Sequence, residues 1–518
     1  MLTWKKGMHA GVSFALAATL LAGCSGGTTS NTPSNPGNTG NTGASTENQE
    51  TGDQEPVSIK MFAGLYNEIP DMNNEFWSEW ERMTNAKLDV EWVPSGDLNA
   101  KLDLLLASGD LPEVVAYQFN NRPTFLRAIK NGAFWDLTDF LGDMSEYPNL
   151  RDNLADDALK YLSVDGRIYG LPRSRSRIDG GIKIRQDWLE QLDIPIPTTF
   201  EEYEDALRQI VDADLDGNGR RDTVGLLYVN DPFSSFQVGF GLFDPTYNEE
   251  GGLITPRLTP QGIEMTAWFR SLYEQGLMSQ EFAVMKESQA EELFKTNRAA
   301  SYGRPIWWDH DWENAMRMSG QEDAKILNLH LKGPAGDAVA LETGVAGGFY
   351  ISKKVPEEKV KRLLDYFELT ASEEVSDFAY YGIEGVHYTE EDGQKILTEQ
   401  GIKEVNTTSK GAGVLTYNKF GKVISASGDK AYNDAKIAEV EHFDEIGKIS
   451  PNTYTATEAW INTWPKYESE FNNMYTKAVV GQITMEEFEA HVDMINNQPD
   501  IKEAYLTMAE AYENFHNQ

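Results

Sequence analysis

Between residues 212 and 223 the chain reads Asp-Ala-Asp-Leu-Asp-Gly-Asn-Gly-Arg-Arg-Asp-Thr, with oxygen-bearing side chains at alternate positions. A hard cation such as Ca²⁺ takes several oxygen ligands from a loop that glycine allows to curl. In the preferred register Asp214, Asp216 and Asn218 offer side-chain oxygens, Arg220 its backbone carbonyl, Asp222 a further carboxylate and Thr223 the last position. Thr223 stands where a carboxylate would close the shell, so weak binding is expected. A register starting at Asp212 puts Arg220 and Thr223 where an oxygen ligand and a Glu belong, and is less favourable. The expected cofactor is thus Ca²⁺ as a loop staple, with no part in catalysis; an acidic surface turn is the plainer alternative.

A second pattern combines rings with charge. Arg304-Pro-Ile-Trp307-Trp308-Asp309-His310-Asp311-Trp312 sets three tryptophans among charged residues, and Tyr380-Tyr381-Gly-Ile-Glu384-Gly-Val-His387-Tyr388 is similar. Sugars stack their C–H faces on such rings and give their hydroxyls to planar polar groups. The candidate contacts are Arg304, Trp307, Trp308, Asp309, Tyr381, Glu384 and His387, with Tyr66 from the first strand–loop junction. Core packing competes for every one of these rings, and Trp460 and Trp464, at helical spacing, are expected in the core or between lobes. A third pattern is basic: Arg173, Arg175 and Arg177, with Lys183 and Arg185 behind. Guanidinium forks match carboxylates, so Arg173 and Arg175 join the candidate contacts. Charge balance at a hinge is the other reading.

Nucleophile elbows, H-E-x-x-H helices, phosphate loops and dinucleotide fingerprints are all missing from the sequence. A carboxylate pair for glycoside hydrolysis would best be Asp309 and Asp311, but 82 acidic residues offer many pairs. The expectation is that the chain is not an enzyme.

The N-terminus tells where this chemistry happens. Lys5 and Lys6 precede an apolar run too short to span a bilayer, which reads as a secretion signal. The run ends in Leu-Ala-Gly-Cys24, and Cys24 is the sole cysteine of 518 residues. This fits a bacterial lipobox, with Cys24 lipidated as the mature N-terminus; an ordinary signal with a chance cysteine is the alternative. Residues 24–55 are Gly, Ser, Thr, Asn and Pro, then acidic, and cannot bury enough surface to fold, so a disordered tether is expected. The charge of −37 argues against nucleic acid and against docking on anionic lipid, leaving the anchor as the membrane contact.

The elements that must position these residues follow from periodicity. Val57, Ile59 and Met61 alternate with polar residues as a strand does, Phe76, Trp80 and Met83 share a helical face, and Leu88, Val90 and Trp92 alternate again. A helix through Leu98, Leu102 and Leu105 leads to strand 114–117. Strand–helix repetition of this kind means an α/β fold with a mainly parallel sheet. Capping boxes open helices at Thr199–Glu202 and Thr484–Glu487. Strands are expected at 223–230, 299–302 and 345–352, the last two returning to the first lobe. The expected lobes are 56–172 plus 299–355, and 173–298 plus 356–518, the latter with a helical C-terminal part.

Taken in order, Leu-Ala-Gly-Cys24, Leu105–Glu113, Ile184–Leu189, Asp214–Thr223, Thr343–Ser352 and Tyr381–Tyr388 resemble extracellular solute-binding proteins (family 1) of ABC sugar importers. The similarity is to the Gram-positive lipoprotein branch that includes alginate-oligosaccharide binders. It implies a two-lobed, periplasmic-binding-protein-like fold of the maltose-binding type, with a hinge. It also implies an oligosaccharide held in the cleft by hinge closure, permease subunits as partners, and Ca²⁺ in the 214–223 loop, where relatives often carry Glu in place of Thr223. A monomer, lipid-anchored outside the cytoplasm, is expected. A secreted polysaccharide lyase or glycosidase, or the same fold binding a peptide, are the competing readings.

Overall fold

The computed structural model describes residues 55–517, apart from 66–68, 119–121, 179, 216–218, 221, 230–233, 392, 406–410, 422, 426–427 and 452–456. Cys24, the tether up to residue 54, Tyr66, Asp216 and Asn218 therefore lie outside the described residues. No described helix is long and apolar enough to cross a membrane.

The two larger sheets among the described residues use β1 (Val57–Leu65), β2 (Ala86–Pro94), β3 (Val114–Tyr117), β4 (Gly170–Ser174), β5 (Gly180–Arg185), β6 (Val224–Leu227), β7 (Ala299–Pro305), β8 (Ile326–Leu329) and β9 (Val345–Ile351). Their orders are β2–β1–β3–β9–β4 and β8–β5–β7–β6.

The first sheet follows from its pattern. Val57, Ile59 and Met61 are buried while Ser58 and Lys60 are exposed. β1 lies parallel to β2, with Ile59 opposite Leu88 and Met61 opposite Val90, and parallel to β3. β9 runs antiparallel between β3 and β4, so the 345–352 strand does return to the first sheet. The connecting helix Glu75–Thr84 starts where Asn74 Oδ1 accepts the Trp77 N–H at 3.0 Å, one of the donors a helix start leaves open. Helix Leu98–Ser108 stops at Gly109, whose φ of 73° suits a residue without Cβ.

The second sheet departs from expectation at Ala299–Pro305. This strand lies in the middle of the second sheet as β7, antiparallel to β5 and parallel to β6. Ser301 fixes it there: its hydroxyl donates to the Lys183 carbonyl at 2.5 Å and accepts from Tyr203 at 2.6 Å. A short apolar run suits either sheet by pattern; the backbone pairing with β5 and β6 and these polar contacts place it. Helix Glu357–Thr370 also changes sides. Its Leu363, Leu364 and Phe367 share a core with Val57, Ile59, Val114 and Phe349 of the first body. Val375, Phe378 and Leu415 pack there as well, on Phe76 and Trp80. The C-terminal helices pack on the second body, where Phe471, Phe488, Val492, Ile501 and Tyr505 join Phe269 and Leu272.

The Thr484–Glu487 capping box is complete, with bonds of 3.1 and 2.8 Å. At 199–202 only half forms: Thr199 Oγ1 accepts the Glu202 N–H at 3.2 Å, but the Glu202 carboxylate turns to the Thr198 N–H at 2.8 Å.

Among the described residues, three segments join the bodies. Arg175 N–H donates to the Gly344 carbonyl at 2.9 Å and Glu342 N–H to that of Arg177 at 2.8 Å, so the first two segments run side by side. The third is held by the Ser176 hydroxyl on the Lys419 carbonyl, 2.7 Å. Ile178, Ile306, Val339, Leu341, Val440 and Phe443 pack around this junction.

Candidate functional site

β6 and β7 are parallel and end side by side, the place where open α/β sheets build ligand sites. A cavity of about 280 Å³ lies there. Its walls are Leu226–Val229, Ser234–Phe236, Glu287 and Tyr302–Pro305, with Gly180 from β5 and Ala340 and Glu342 from the second connecting segment. Sheet and connection thus share one site.

Its polar groups differ in what they have left to offer. The Tyr228 and Tyr475 hydroxyls share a hydrogen bond, O to O 2.6 Å, inside the core. Tyr302 is 3 % exposed, and its hydroxyl has no hydrogen-bond partner. Burial, partly offset by the Arg304 charge, pushes this phenol up to about 12, so it stays protonated near neutral pH. The Arg304 guanidinium lies 4.7 Å from the Trp308 ring centre and 5.6 Å from that of Tyr302. It donates to Glu291 at 2.9 Å and Glu287 at 3.2 Å, which leaves Nε without a partner.

The other sequence candidates scatter. Trp308 is half-buried under Arg304 and beside Trp312, ring centres 5.5 Å apart. Trp307 packs against the junction cluster with the Arg175 guanidinium 5.0 Å from its ring centre. Each of these indoles already has a guanidinium over it. Arg173 sits in β4, and its charge acts on the Tyr380 phenol.

Asp309 does not face a ligand. It is fully buried and accepts from Lys183, from Lys436 at 2.7 Å and from Asn328 at 2.6 Å. Lys436 also reaches Glu439 at 2.6 Å, so two carboxylates balance two ammonium groups in one enclosed cluster. Burial works to raise the Asp309 carboxyl, but Lys183 and Lys436 outweigh it and hold the group below the usual carboxylate range. The acid pair considered with Asp311 is therefore unsuited to proton transfer. Lys183 and Arg185 leave the basic island too: both are buried, and Arg185 binds Asp187 and Asn297 at 2.8 and 2.7 Å.

His387 is likewise structural. It is wholly buried; Nδ1 accepts the Ile383 N–H at 2.9 Å, which places the proton on Nε2, facing Glu404 at 3.1 Å. Tyr381 packs beside Tyr388 with Lys395 5.2 Å from its ring centre, and Glu384 is exposed. None of these three lines the cavity. Trp460 and Trp464 stack on each other at 5.1 Å and pack against the second core.

Sequence reasoning missed Tyr302. The signal was present, because Tyr302 and Arg304 stand two apart on a strand and share a face.

A second cavity of about 340 Å³ lies between helix Pro123–Lys130 of the first body and helices Glu458–Thr463 and Pro499–Asn517 of the second. Lys130 spans it, 3.3 Å from Asp165 and 3.7 Å from Glu458. The bodies touch here, away from the connecting segments.

In the acidic loop, Asp214 takes a φ of 46°, and its carboxylate accepts the Gly219 N–H at 3.0 Å. Asp222 pairs with Arg298 at 3.2 Å, and the buried Thr223 hydroxyl has no partner. Among the described residues no three His, Cys, Asp or Glu side chains converge.

Comparison with known proteins places the chain. It is 28% identical to the polygalacturonan/rhamnogalacturonan-binding protein YtcQ of Bacillus subtilis (strain 168) over 472 residues, 87% of this chain and 90% of that one. It is 25% identical to lipoprotein LipO of the same organism over 498 residues, 93% and 94% of the two chains. The crystal structure of alginate-binding protein AlgQ2 without calcium ion shares the two-lobed fold, with a TM-score of 0.65 at 17% identity over 89% of this chain and 99% of that one. Residues 76–386 match the family described as bacterial extracellular solute-binding protein, and the chain belongs to that family.

Proposed function

We propose that the chain captures a carbohydrate, as an oligosaccharide, in the groove between its two bodies and passes it unaltered to the permease subunits of an ABC importer. The observation that carries this is the cavity at the ends of β6 and β7, whose wall includes Ala340 and Glu342 of a connecting segment. Bending at the connections must reshape that wall, so a ligand touching both sides favours one arrangement of the bodies. Of the sequence candidates Arg304 lines this cavity, and the names of YtcQ and AlgQ2 support a saccharide ligand. Binding needs no proton-transfer pair, which agrees with Asp309 being locked among lysines.

The same reading has the chain anchored outside the cytoplasm through lipid on Cys24, acting as a monomer without nucleic acid. LipO, a lipoprotein by name, supports the anchor. The same reading includes Ca²⁺ in the 214–223 loop. Asp214 curls toward Gly219, and the orphaned Thr223 hydroxyl is an oxygen in want of a partner. Asp214, Asp216, Asn218, Arg220 through its carbonyl, Asp222 and Thr223 would hold the ion. Bound there, it would supply positive charge that ties the loop.

Thermal-shift and tryptophan-fluorescence screens against oligosaccharide and peptide panels test the proposal. A ligand at a hundred times its Kd should add about 2.7 kcal/mol of stability. Oligosaccharides are expected to raise Tm and to be recovered intact. A response to peptides alone, or new reducing ends, would contradict it.

A further inference from the structure

We infer that His330 and His442 form a two-histidine site for a divalent transition-metal ion, Zn²⁺ or Cu²⁺, at the surface of the second body. The inference stands apart from the carbohydrate reading. His330 directly follows β8, and His442 sits 112 residues further on in helix Lys430–Ile446. His330 Nδ1 and His442 Nε2 face each other at 2.9 Å, with ring centres 4.7 Å apart. On the other side of the first ring, His330 Nε2 lies 2.7 Å from Asp337 Oδ1, at the end of the hairpin formed by Lys332–Gly333 and Gly336–Asp337. A carboxylate accepts, so the His330 proton sits on Nε2 and the Nδ1 lone pair points at His442. His442 Nε2–H donates between the rings. A neutral imidazole carries its proton on either nitrogen, so moving this one to His442 Nδ1 turns two lone pairs toward one point.

Chemistry decides the ion. Imidazole nitrogen suits Zn²⁺ and Cu²⁺, whereas Ca²⁺ takes oxygen. The carboxylate behind His330 is the outer partner that fixes the tautomer of a metal-binding histidine and raises its basicity. Tetrahedral Zn–N bonds of about 2.0–2.1 Å set two nitrogens roughly 3.3 Å apart, so the rings need to part by only a few tenths of an ångström and tilt. His442 is exposed and the His330 side chain is 27 % exposed, so an ion reaches both from solvent. Asp337 is occupied on the far nitrogen, which leaves two protein ligands and a shell completed by water. The net charge of −37 draws cations to such a surface. Val440 and Phe443 of the same helix pack at the junction with Ile178 and Leu341. A bound ion therefore ties the helix that follows the third connection to the end of β8.

Titration calorimetry with Zn²⁺ tests this, on the chain carrying Cys24→Ser to remove its one thiol, stripped by chelator and held in excess Ca²⁺ to fill oxygen sites. One saturable Zn²⁺ per chain is expected. His442→Ala and His330→Ala should each weaken it at least about tenfold, and Asp337→Asn, which touches no metal, by about tenfold. Pulsed EPR of bound Cu²⁺ should show two coordinating imidazoles in the parent and one in His442→Ala. His442 is exposed, so its replacement should leave the metal-free Tm nearly unchanged and lost binding is then not lost fold. Absence of saturable Zn²⁺ binding, unchanged affinity in His442→Ala, or a Cu²⁺ spectrum without a pair of imidazoles overturns the site.

Discussion

Arg304 and Asp309 are near neighbours in sequence, and both carry charge beside tryptophan, yet the fold uses them oppositely. Arg304 keeps part of its guanidinium at a cavity wall, matched by Glu287, which is 65 % exposed, and by Glu291. Asp309, one turn beyond, is sealed between Lys183 and Lys436 and ties helix Asp309–Met318 to β5 and to helix Lys430–Ile446. Arg304 leaves its Nε–H without a partner, while the Asp309 carboxylate accepts from three donors. Two opposite charges set among the same tryptophans thus differ in burial and in the partners the fold brings to each.

The sharpest way to break this comparison is Asp309→Ala. It leaves two buried ammonium groups short of a counter-charge, and a loss of about 3–5 kcal/mol is expected in denaturant unfolding. A loss near zero would remove Asp309 from the scaffold. The same group sets an acid-side dependence. Its folded pKa lies below the unfolded value, so its contribution is present above about pH 4 and disappears as pH falls through the folded pKa. Stability measured from pH 6 downward should lose that component in Asp309→Asn.

His387→Ala comes next. It strands the Ile383 N–H and the Glu404 carboxylate, for an expected cost of about 1–3 kcal/mol. Unchanged sugar affinity is expected in the folded fraction, and a selective loss of affinity would return His387 to the site. Thr484→Ala should cost about 1 kcal/mol, since a complete capping box is lost. Smallest in stability is Arg304→Gln, at about 0–1 kcal/mol, with the effect appearing in binding instead.

The first sheet was legible because β1 and β2 alternate cleanly, and the cap at Thr484 because its partners are local. The pattern of β7 and of helix Glu357–Thr370 does not tell which body each joins, for one reason. An apolar face announces that it will be buried and not against what, and the deciding contacts, such as Tyr203 on Ser301, cross long stretches of chain. The site divides the same way. Arg304 was legible as a charge just past a strand. Asp309 was not, because its partner Lys436 comes from a helix 127 residues on, and His387 was not, because its bond to Glu404 needs the chain to fold back over 17 residues. Tyr302 was hidden by its type, since a tyrosine in a buried strand reads as core until its hydroxyl is seen to lack a partner.

Whether the two bodies move about their connections on binding sugar is the question on which the account turns. Spin labels on cysteines placed at Ile69 of the first body and Val284 of the second, both largely exposed, would report the separation in a Cys24→Ser background. Saturating oligosaccharide should shorten and narrow the distance distribution, and dilution should restore it with the sugar recovered whole. An unchanged distribution at saturation, or a cleaved sugar, would contradict capture by closure.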